Sequence, residues 1–312
     1  MLQYALVVGL SLATAASAEC SLAMLKNATA TYLEAQGSGK PGLLATLTAD
    51  TLNYTENDQP ASLKTGILAT PLKIDHNITL HDPTLCAAFT EAIVTDSTHP
   101  YVLGTRIVFG LTNGSGNNLI TQIESLVTKP GDWLFNATGY LYWNSFEDWT
   151  PIPLAKQDSR AVIQAAGDAY FDRFDRSNVS MPWATTCSRL EGGAYTGEYN
   201  LTANTCTLGI PPSIEVKRGP NRRETLPRNE MATANQFAVS AGVTNRRYVV
   251  DVEKGAVVLF LGFPGLDQSQ PNRPTPDSHM FRVEGGRIRY IHTLSACFSR
   301  GCGVNAVRKP GA

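Results

Sequence analysis

Asn245-Arg-Arg-Tyr-Val-Val-Asp-Val-Glu-Lys-Gly-Ala-Val-Val-Leu-Phe-Leu-Gly-Phe263 and Pro276-Asp-Ser-His-Met-Phe-Arg-Val-Glu-Gly-Gly-Arg-Ile-Arg-Tyr-Ile-His-Thr293 decide the fold. Both are rich in β-branched and aromatic residues and read as β-hairpins. In the second, Gly285-Gly286 forms a two-residue turn, the commonest hairpin connection. Glu284 is then expected opposite Arg287, Val283 opposite Ile288, Phe281 opposite Tyr290 and His279 opposite His292. Side chains alternate along a strand, so this register puts His279, Phe281, Val283, Ile288, Tyr290 and His292 on one face. Arg282, Glu284, Arg287 and Arg289 fall on the other. The second face is charged and solvated. The first is apolar and aromatic with two adjacent imidazoles, as expected for the wall of a small-molecule pocket.

Working outward, the chain repeats one pattern. Residues 22–35 have apolar side chains at helical spacing and stop at Gly37; residues 158–174 form a second such helix with Asp158 or Ser159 as N-cap. Each carries a tyrosine near its end, Tyr32 and Tyr170, and each precedes strand-rich sequence. In the first half the expected strands are 92–95, 101–111, 118–128 and 133–143; in the second they are the two hairpins. Helix followed by antiparallel sheet, twice, gives an α+β fold. The Pro-punctuated stretch Trp149-Thr-Pro-Ile-Pro153 is the joint between modules spanning 19–153 and 154–302, with a tail at 303–312. Residues 207–244 form a long Pro-, Arg- and Asn-rich insertion, read either as a lid over the pocket or as a floppy loop.

Residues 1–18 combine a short apolar run with Ala16-Ser17-Ala18, the pattern of a cleaved signal peptide. Six cysteines suit disulfides in a secreted chain. Cys20–Cys86 is the preferred pair, and Cys187, Cys206, Cys297 and Cys302 form two more with open connectivity. Sequons at Asn27, Asn53, Asn77, Asn113, Asn136, Asn178 and Asn200 are expected to be glycosylated and water-facing. The net charge of −1, with 17% charged residues, argues against nucleic-acid binding, and no segment after the leader is apolar enough to cross a membrane.

No nucleophile elbow, phosphate-binding loop or zinc motif is present. Asp75-His76 and His81-Asp82 read as solvent-facing pairs in an exposed turn rather than metal ligands. His279 and His292 are candidates for proton transfer or hydrogen bonding to substrate, against the alternative of core histidines bonded to backbone. Asp251, in an otherwise apolar strand, needs a partner; Arg246 or Arg247 supplies it, in an ion pair or around a catalytic acid. Trp183 is a candidate stacking surface at the pocket mouth, and Arg189 and Glu191 are expected to brace each other.

The combination of Trp183, Cys187-Ser-Arg-Leu-Glu-Gly-Gly193, Asn245-Arg-Arg-Tyr-Val-Val-Asp251, Pro276-Asp-Ser-His-Met-Phe-Arg-Val-Glu-Gly-Gly286 and Tyr290-Ile-His292 resembles a group of secreted fungal proteins. Tyr54-Thr-Glu-Asn57, Gly131-Asp-Trp133 and Trp149 extend the resemblance over the mature chain. The group is similar to the nuclear-transport-factor-2-like (SnoaL-like) family and includes hetero-Diels–Alderases of tropolone–sesquiterpenoid biosynthesis. The resemblance implies two tandem cone-like modules, each with helices packed on a strongly curved antiparallel sheet. It also implies a pericyclase joining a tropolone-derived quinone methide to a humulene-type alkene. Such chemistry calls for no metal or cofactor, only small hydrophobic substrates held in reacting geometry. Strand alternation, not the family, assigns the roles: His279 or His292 would donate to the substrate oxygen, Trp183, Phe281, Tyr290 and Arg247 would line the pocket, and Asp251 or the histidine pair would be the base of a lyase or hydrolase. The alternatives are a secreted binding protein for a hydrophobic metabolite and a lyase or hydrolase. Monomer and homodimer both fit.

Overall fold

The computed structural model describes residues 20–111, 118–176, 178–211 and 242–302. The leader, the tail, Asn113 and most of the insertion with its expected lid therefore lie outside the described residues. The chain forms an α+β fold of two tandem modules built on the same plan. The first has α1 (Leu22–Ser38), β1 (Thr48–Glu56), β2 (Gln59–Pro60), β3 (His76–Asp82), β4 (Ala87–Val94), β5 (Tyr101–Leu111) and β6 (Asn118–Thr128). After α2 (Ala137–Asn144), the second has α3 (Arg160–Asp175), β7 (Trp183–Glu191), β8 (Ala194–Tyr195), β9 (Thr244–Asp251), β10 (Ala256–Phe263), β11 (Thr275–Glu284) and β12 (Arg287–Ser295).

The six-stranded sheets have the orders β2-β1-β6-β5-β4-β3 and β8-β7-β12-β11-β10-β9. They are mixed rather than antiparallel throughout, because the last strand of each meander returns parallel to the first strand: β6 beside β1, and β12 beside β7. Irregularities repeat as well. The β1–β6 ladder jumps from Thr48↔Ile120 to Asn53↔Gln122, and the β7–β12 ladder from Trp183↔Ile288 to Ser188↔Tyr290. A β-bulge leaves Thr121 unpaired in the first module and Arg289 in the second. Ser21 and Ser159 cap α1 and α3 by accepting from Met24 N and Val162 N, each interaction worth about 1 kcal/mol.

The modules stack in four layers. The helix α1 buries Leu25, Ala28 and Tyr32 on one face of the first sheet, against Ile107, Ile120 and Ile123. In the second module α3 buries Ile163, Ala166, Tyr170 and Phe171 against Leu259, Phe281 and Ile291. The opposite sheet faces meet in a shared core that includes Leu80, Phe89, Leu126, Val258, Phe260, Met280 and Leu294. Because β4 and β10 are covered on both faces, every residue in them is buried, which explains their near-continuous apolar runs.

The second hairpin corrects the expected register. Gly285 and Gly286 form the turn at φ +56° and +70°, values only glycine adopts freely. Glu284↔Arg287 and Val283↔Ile288 pair as expected. Beyond the Arg289 bulge every pairing slips by one, so His279 faces Thr293, and His292 faces Met280. The two imidazoles consequently lie on opposite sides of the sheet. Arg282 is buried rather than solvated, donating to the carbonyls of Thr150 and Lys254. Residues 133–143 are not a strand: Asn136 accepts from Gly139 N and starts α2. Strands β1, β3 and β7 had no sequence-based expectation.

Cys20–Cys86 is bonded as expected, and the open pairs resolve as Cys187–Cys206 and Cys297–Cys302. Three disulfides are consistent with a secreted protein. Among the described residues no helix is long and apolar enough to cross a membrane. The six described sequon asparagines are all exposed.

Candidate functional site

Alternation along β11 turns Asp277 and His279 toward α3, and the neighbouring strand presents Ser295 beside Asp277 and Thr293 beside His279. Glu191, at the end of β7, pairs with Thr293, and Arg189 points the same way two residues earlier. With Tyr170 and Phe174 of α3, Trp133, Leu134, Phe263 and Leu266, these residues line a half-open cavity of ≈ 130 Å³. A wider groove of ≈ 460 Å³ shares Leu134, Arg189 and Glu191 and continues past Asn136, Tyr195, Thr196 and Glu198.

The polar groups of the cavity are ordered by their mutual bonds. His279, 4% exposed, has Nδ1 2.6 Å from Asp277 Oδ1, and Ser295 Oγ donates to Asp277 Oδ2. A carboxylate only accepts, so the proton of the neutral imidazole sits on Nδ1. Nε2 is left as the acceptor of an imidazole that lines the cavity. Tyr170 Oη accepts from Arg189 Nη1 at 3.1 Å, so its own hydrogen is available to a ligand. Burial, opposed by Arg189, pushes the Tyr170 pKa up to about 12, which keeps it a donor at neutral pH. Arg189 Nε lies 3.0 Å from Glu191 Oε2, and Nη2 donates to the carbonyl of Leu208 at 2.8 Å. Burial disfavours the Arg189 charge, but Glu191 outweighs it and holds the guanidinium protonated. Trp133 Nε1 completes the ring by donating to Glu191 Oε1 at 2.7 Å.

Of the candidate catalytic and substrate-binding residues named from sequence, His279 alone lines this cavity. His292 lies across the sheet, in the core between the modules. There Nδ1 meets Glu91 Oε1 at 2.9 Å and Nε2 meets Glu147 Oε2 at 2.6 Å. Asp251 is not partnered by an arginine: its carboxylate accepts from the backbone N–H groups of His81 and Lys254. Arg246 pairs with Asp168 and Asp172, and Arg247 with Asp58 and Glu124. His81 and Asp82, expected in solvent, are buried at the module interface; Asp82 binds Arg160 through both oxygens and accepts from Val250 N. Phe281 is core beside His279, and Trp183 packs edge-on to Tyr170 outside the cavity lining. Tyr290 faces the other module next to Trp149. Arg189 and Glu191 brace each other as expected, but in doing so they form a cavity wall.

Sequence reasoning missed Asp277, Thr293 and Ser295, although their spacing from His279 and His292 signals one strand face once the bulge is known. For Trp133 no spacing signal exists, because a loop delivers it. Among the described residues no cluster of His, Cys, Asp and Glu has the geometry to hold a metal.

A family described as a domain of unknown function (DUF8021) matches residues 156–295, the second module. No curated protein matches the chain. A crystal structure of a DUF4783 family protein from Bacteroides fragilis is similar at 15% identity and a TM-score of 0.22, over 30% of this chain and 93% of that one.

Proposed function

We propose that the second module is a cofactor-independent acid–base enzyme acting on a small oxygenated molecule. His279 is the general base, Asp277 orients it, and Tyr170 donates a hydrogen bond to the substrate oxygen that gains charge. One observation carries this reading: a buried Asp277–His279 pair whose imidazole lines a cavity. Nε2 takes a proton from substrate carbon or hydroxyl, and the imidazolium that forms is stabilised by the Asp277 carboxylate. Tyr170, polarised by Arg189, answers at the oxygen. Such a base is worth about 10²–10⁴ in rate, and one preorganised donor about 10²–10³. The last strand of each sheet returns beside the first beneath a helix, an arrangement that supports the cone-like modules and the SnoaL-like family implied by the resemblance. Secretion and glycosylation belong to the same reading.

The aromatic wall of Trp133, Tyr170, Phe174 and Phe263 favours a second reading, the hetero-Diels–Alderase. The same imidazole would expel water from a hydroxymethyl ring compound to give a quinone methide. A cavity of ≈ 130 Å³ is close to the size that holds a benzene molecule, about 150 Å³. It therefore takes the ring alone, and the alkene would have to lie in the polar outer groove. This mismatch ranks the acid–base reading first.

Incubation with hydroxymethyl-substituted phenols and tropolones, with and without a humulene-type alkene, separates the readings by mass spectrometry. Water loss without alkene supports the lyase. An adduct that needs alkene supports the pericyclase. Tight binding without change marks a binding protein. His279→Gln is expected to lower turnover at least ~10²-fold; an unchanged rate overturns the assignment.

A further inference from the structure

We infer that Thr293 recognises the ligand, and that this ligand is an uncharged single-ring compound bearing both a hydroxyl and a carbonyl oxygen. The inference rests on the acid–base reading of the cavity, and the duplicated architecture supplies its internal control. Thr105 pairs with Ser125, which pairs with Glu56; at the matching ladder positions His279 pairs with Thr293, which pairs with Glu191. Tyr32 of α1 reaches the first of these sites as Tyr170 of α3 reaches the second.

In the first module the hydroxyls satisfy one another. Tyr32 Oη donates to Thr105 Oγ1 at 2.7 Å, and Thr105 Oγ1 lies 3.1 Å from Ser125 Oγ. All three residues are buried. In the second module the chain is broken. His279 stands in place of Thr105 and turns to Asp277, whose counterpart is Leu103. Thr293 lines the cavity, and its buried Oγ1 is consequently left with no partner among the described residues. An unmade bond at a buried hydroxyl is destabilising, a penalty that a ligand removes.

The remaining valences define the ligand. The acceptor His279 Nε2 calls for a hydroxyl, whereas the Tyr170 hydroxyl, whose oxygen already accepts from Arg189, calls for an acceptor such as a carbonyl, to which the Thr293 hydroxyl can also donate. Among the described residues no cation is left for an anionic ligand, because Arg189 is engaged by Glu191, Tyr170 and Leu208. Nor is a carboxylate oxygen left for a cationic one: Asp277 is held by His279 and Ser295, Glu191 by Arg189 and Trp133. The ≈ 130 Å³ volume admits one ring.

Calorimetric titration with 3-hydroxybenzaldehyde, benzaldehyde, phenol and 3-hydroxybenzoate tests this. The hydroxyaldehyde is expected to bind tightest, and the hydroxybenzoate at least ~10-fold more weakly. Thr293→Val should weaken the hydroxyaldehyde about 3–10-fold, the value of one hydrogen bond, with Tm unchanged or raised; Thr293→Ser should bind like the parent. Ser125→Val, which breaks a satisfied bond, should lower Tm and leave affinity intact. Unaltered affinity in Thr293→Val, equal affinity for the carboxylate, or no binding of any of the four by the parent overturns the inference. These readouts are affinities, so their failure is distinct from failure of the His279→Gln turnover test.

Discussion

Asp277 determines which nitrogen of His279 carries the proton, and its other oxygen is held by Ser295. In Asp277→Asn the amide retains the shape and the Ser295 contact but can present N–H to the imidazole, stabilising the wrong tautomer. Turnover is expected to fall by about 10²–10⁴, as when the orienting carboxylate of a catalytic triad is neutralised. Stability and KM should change little, and steady-state kinetics beside thermal unfolding check this split. At this scale the sequence was half legible. That His279 lies in an aromatic face can be read from Phe281 two residues on, because strand alternation is local. That His292 does not share that face cannot: the Arg289 bulge inverts every position beyond it, and bulges carry no fixed residue signature. Thr121, the matching unpaired residue of the first module, would have revealed it only to a reader who already had both ladders. Asp251 and Arg247 failed for a related reason: Arg247 pairs with carboxylates of the other module, and Asp251 accepts one of its two backbone N–H groups from there.

Elements were legible where one face or one turn dictates them. The Gly285-Gly286 turn has left-handed φ at both residues, and a Cβ built at Gly285 meets nothing within 4 Å. Gly285→Ala is therefore a purely conformational perturbation. It should cost about 1–2 kcal/mol, the penalty of a left-handed conformation for an L-residue, with the m-value unchanged in urea unfolding. The Leu22–Ser38 and Arg160–Asp175 helices announce themselves through serine caps and apolar spacing. Helix α2 does not: its alternating aromatics imitate a strand. The decisive interactions are the Asn136 cap and the reach of Tyr140 and Asn144, one turn apart, to Glu91 in the first sheet. Strands β3 and β9 are similarly tertiary in origin. Each ends in an aspartate that accepts a backbone N–H from the other strand, Asp82 from Val250 and Asp251 from His81.

At the scale of the whole molecule, two histidines of opposite character bound the pH range in which the modules hold together. His81 is buried against Thr29; burial, then the charges of Lys254 and Lys26, depress its pKa from 6.5 to about 4, with Asp251 Oδ2 4.0 Å away. A depressed histidine must gain a proton on unfolding, so its contribution is complete above pH 6.5 and is lost as pH falls toward about 4. His292 is the converse. Burial disfavours its charge, but Glu91 and Glu147 outweigh burial and raise it from 6.5 to about 10, with Tyr140 bonded to Glu91 and Trp149 to Glu147 in the same cluster. A raised histidine gives up its proton on unfolding in alkali, so its contribution is complete below pH 6.5 and is lost as pH climbs toward about 10. Tyr32 and Tyr170, both pushed to about 12 by burial, extend the alkaline loss only above their ordinary value of 10. Among the described groups, the fall in stability between pH 7 and 10 comes chiefly from His292, and Lys254, whose ammonium burial disfavours, opposes it only toward the upper end. Thermal unfolding across pH 4–10 is expected to peak between 6 and 7. The His81→Gln variant should flatten the acid limb, and His292→Gln should flatten the alkaline limb while lowering stability throughout, because two buried carboxylates lose their common cation. If the alkaline slope survives in His292→Gln, the imidazolium is not what joins the first sheet to the second.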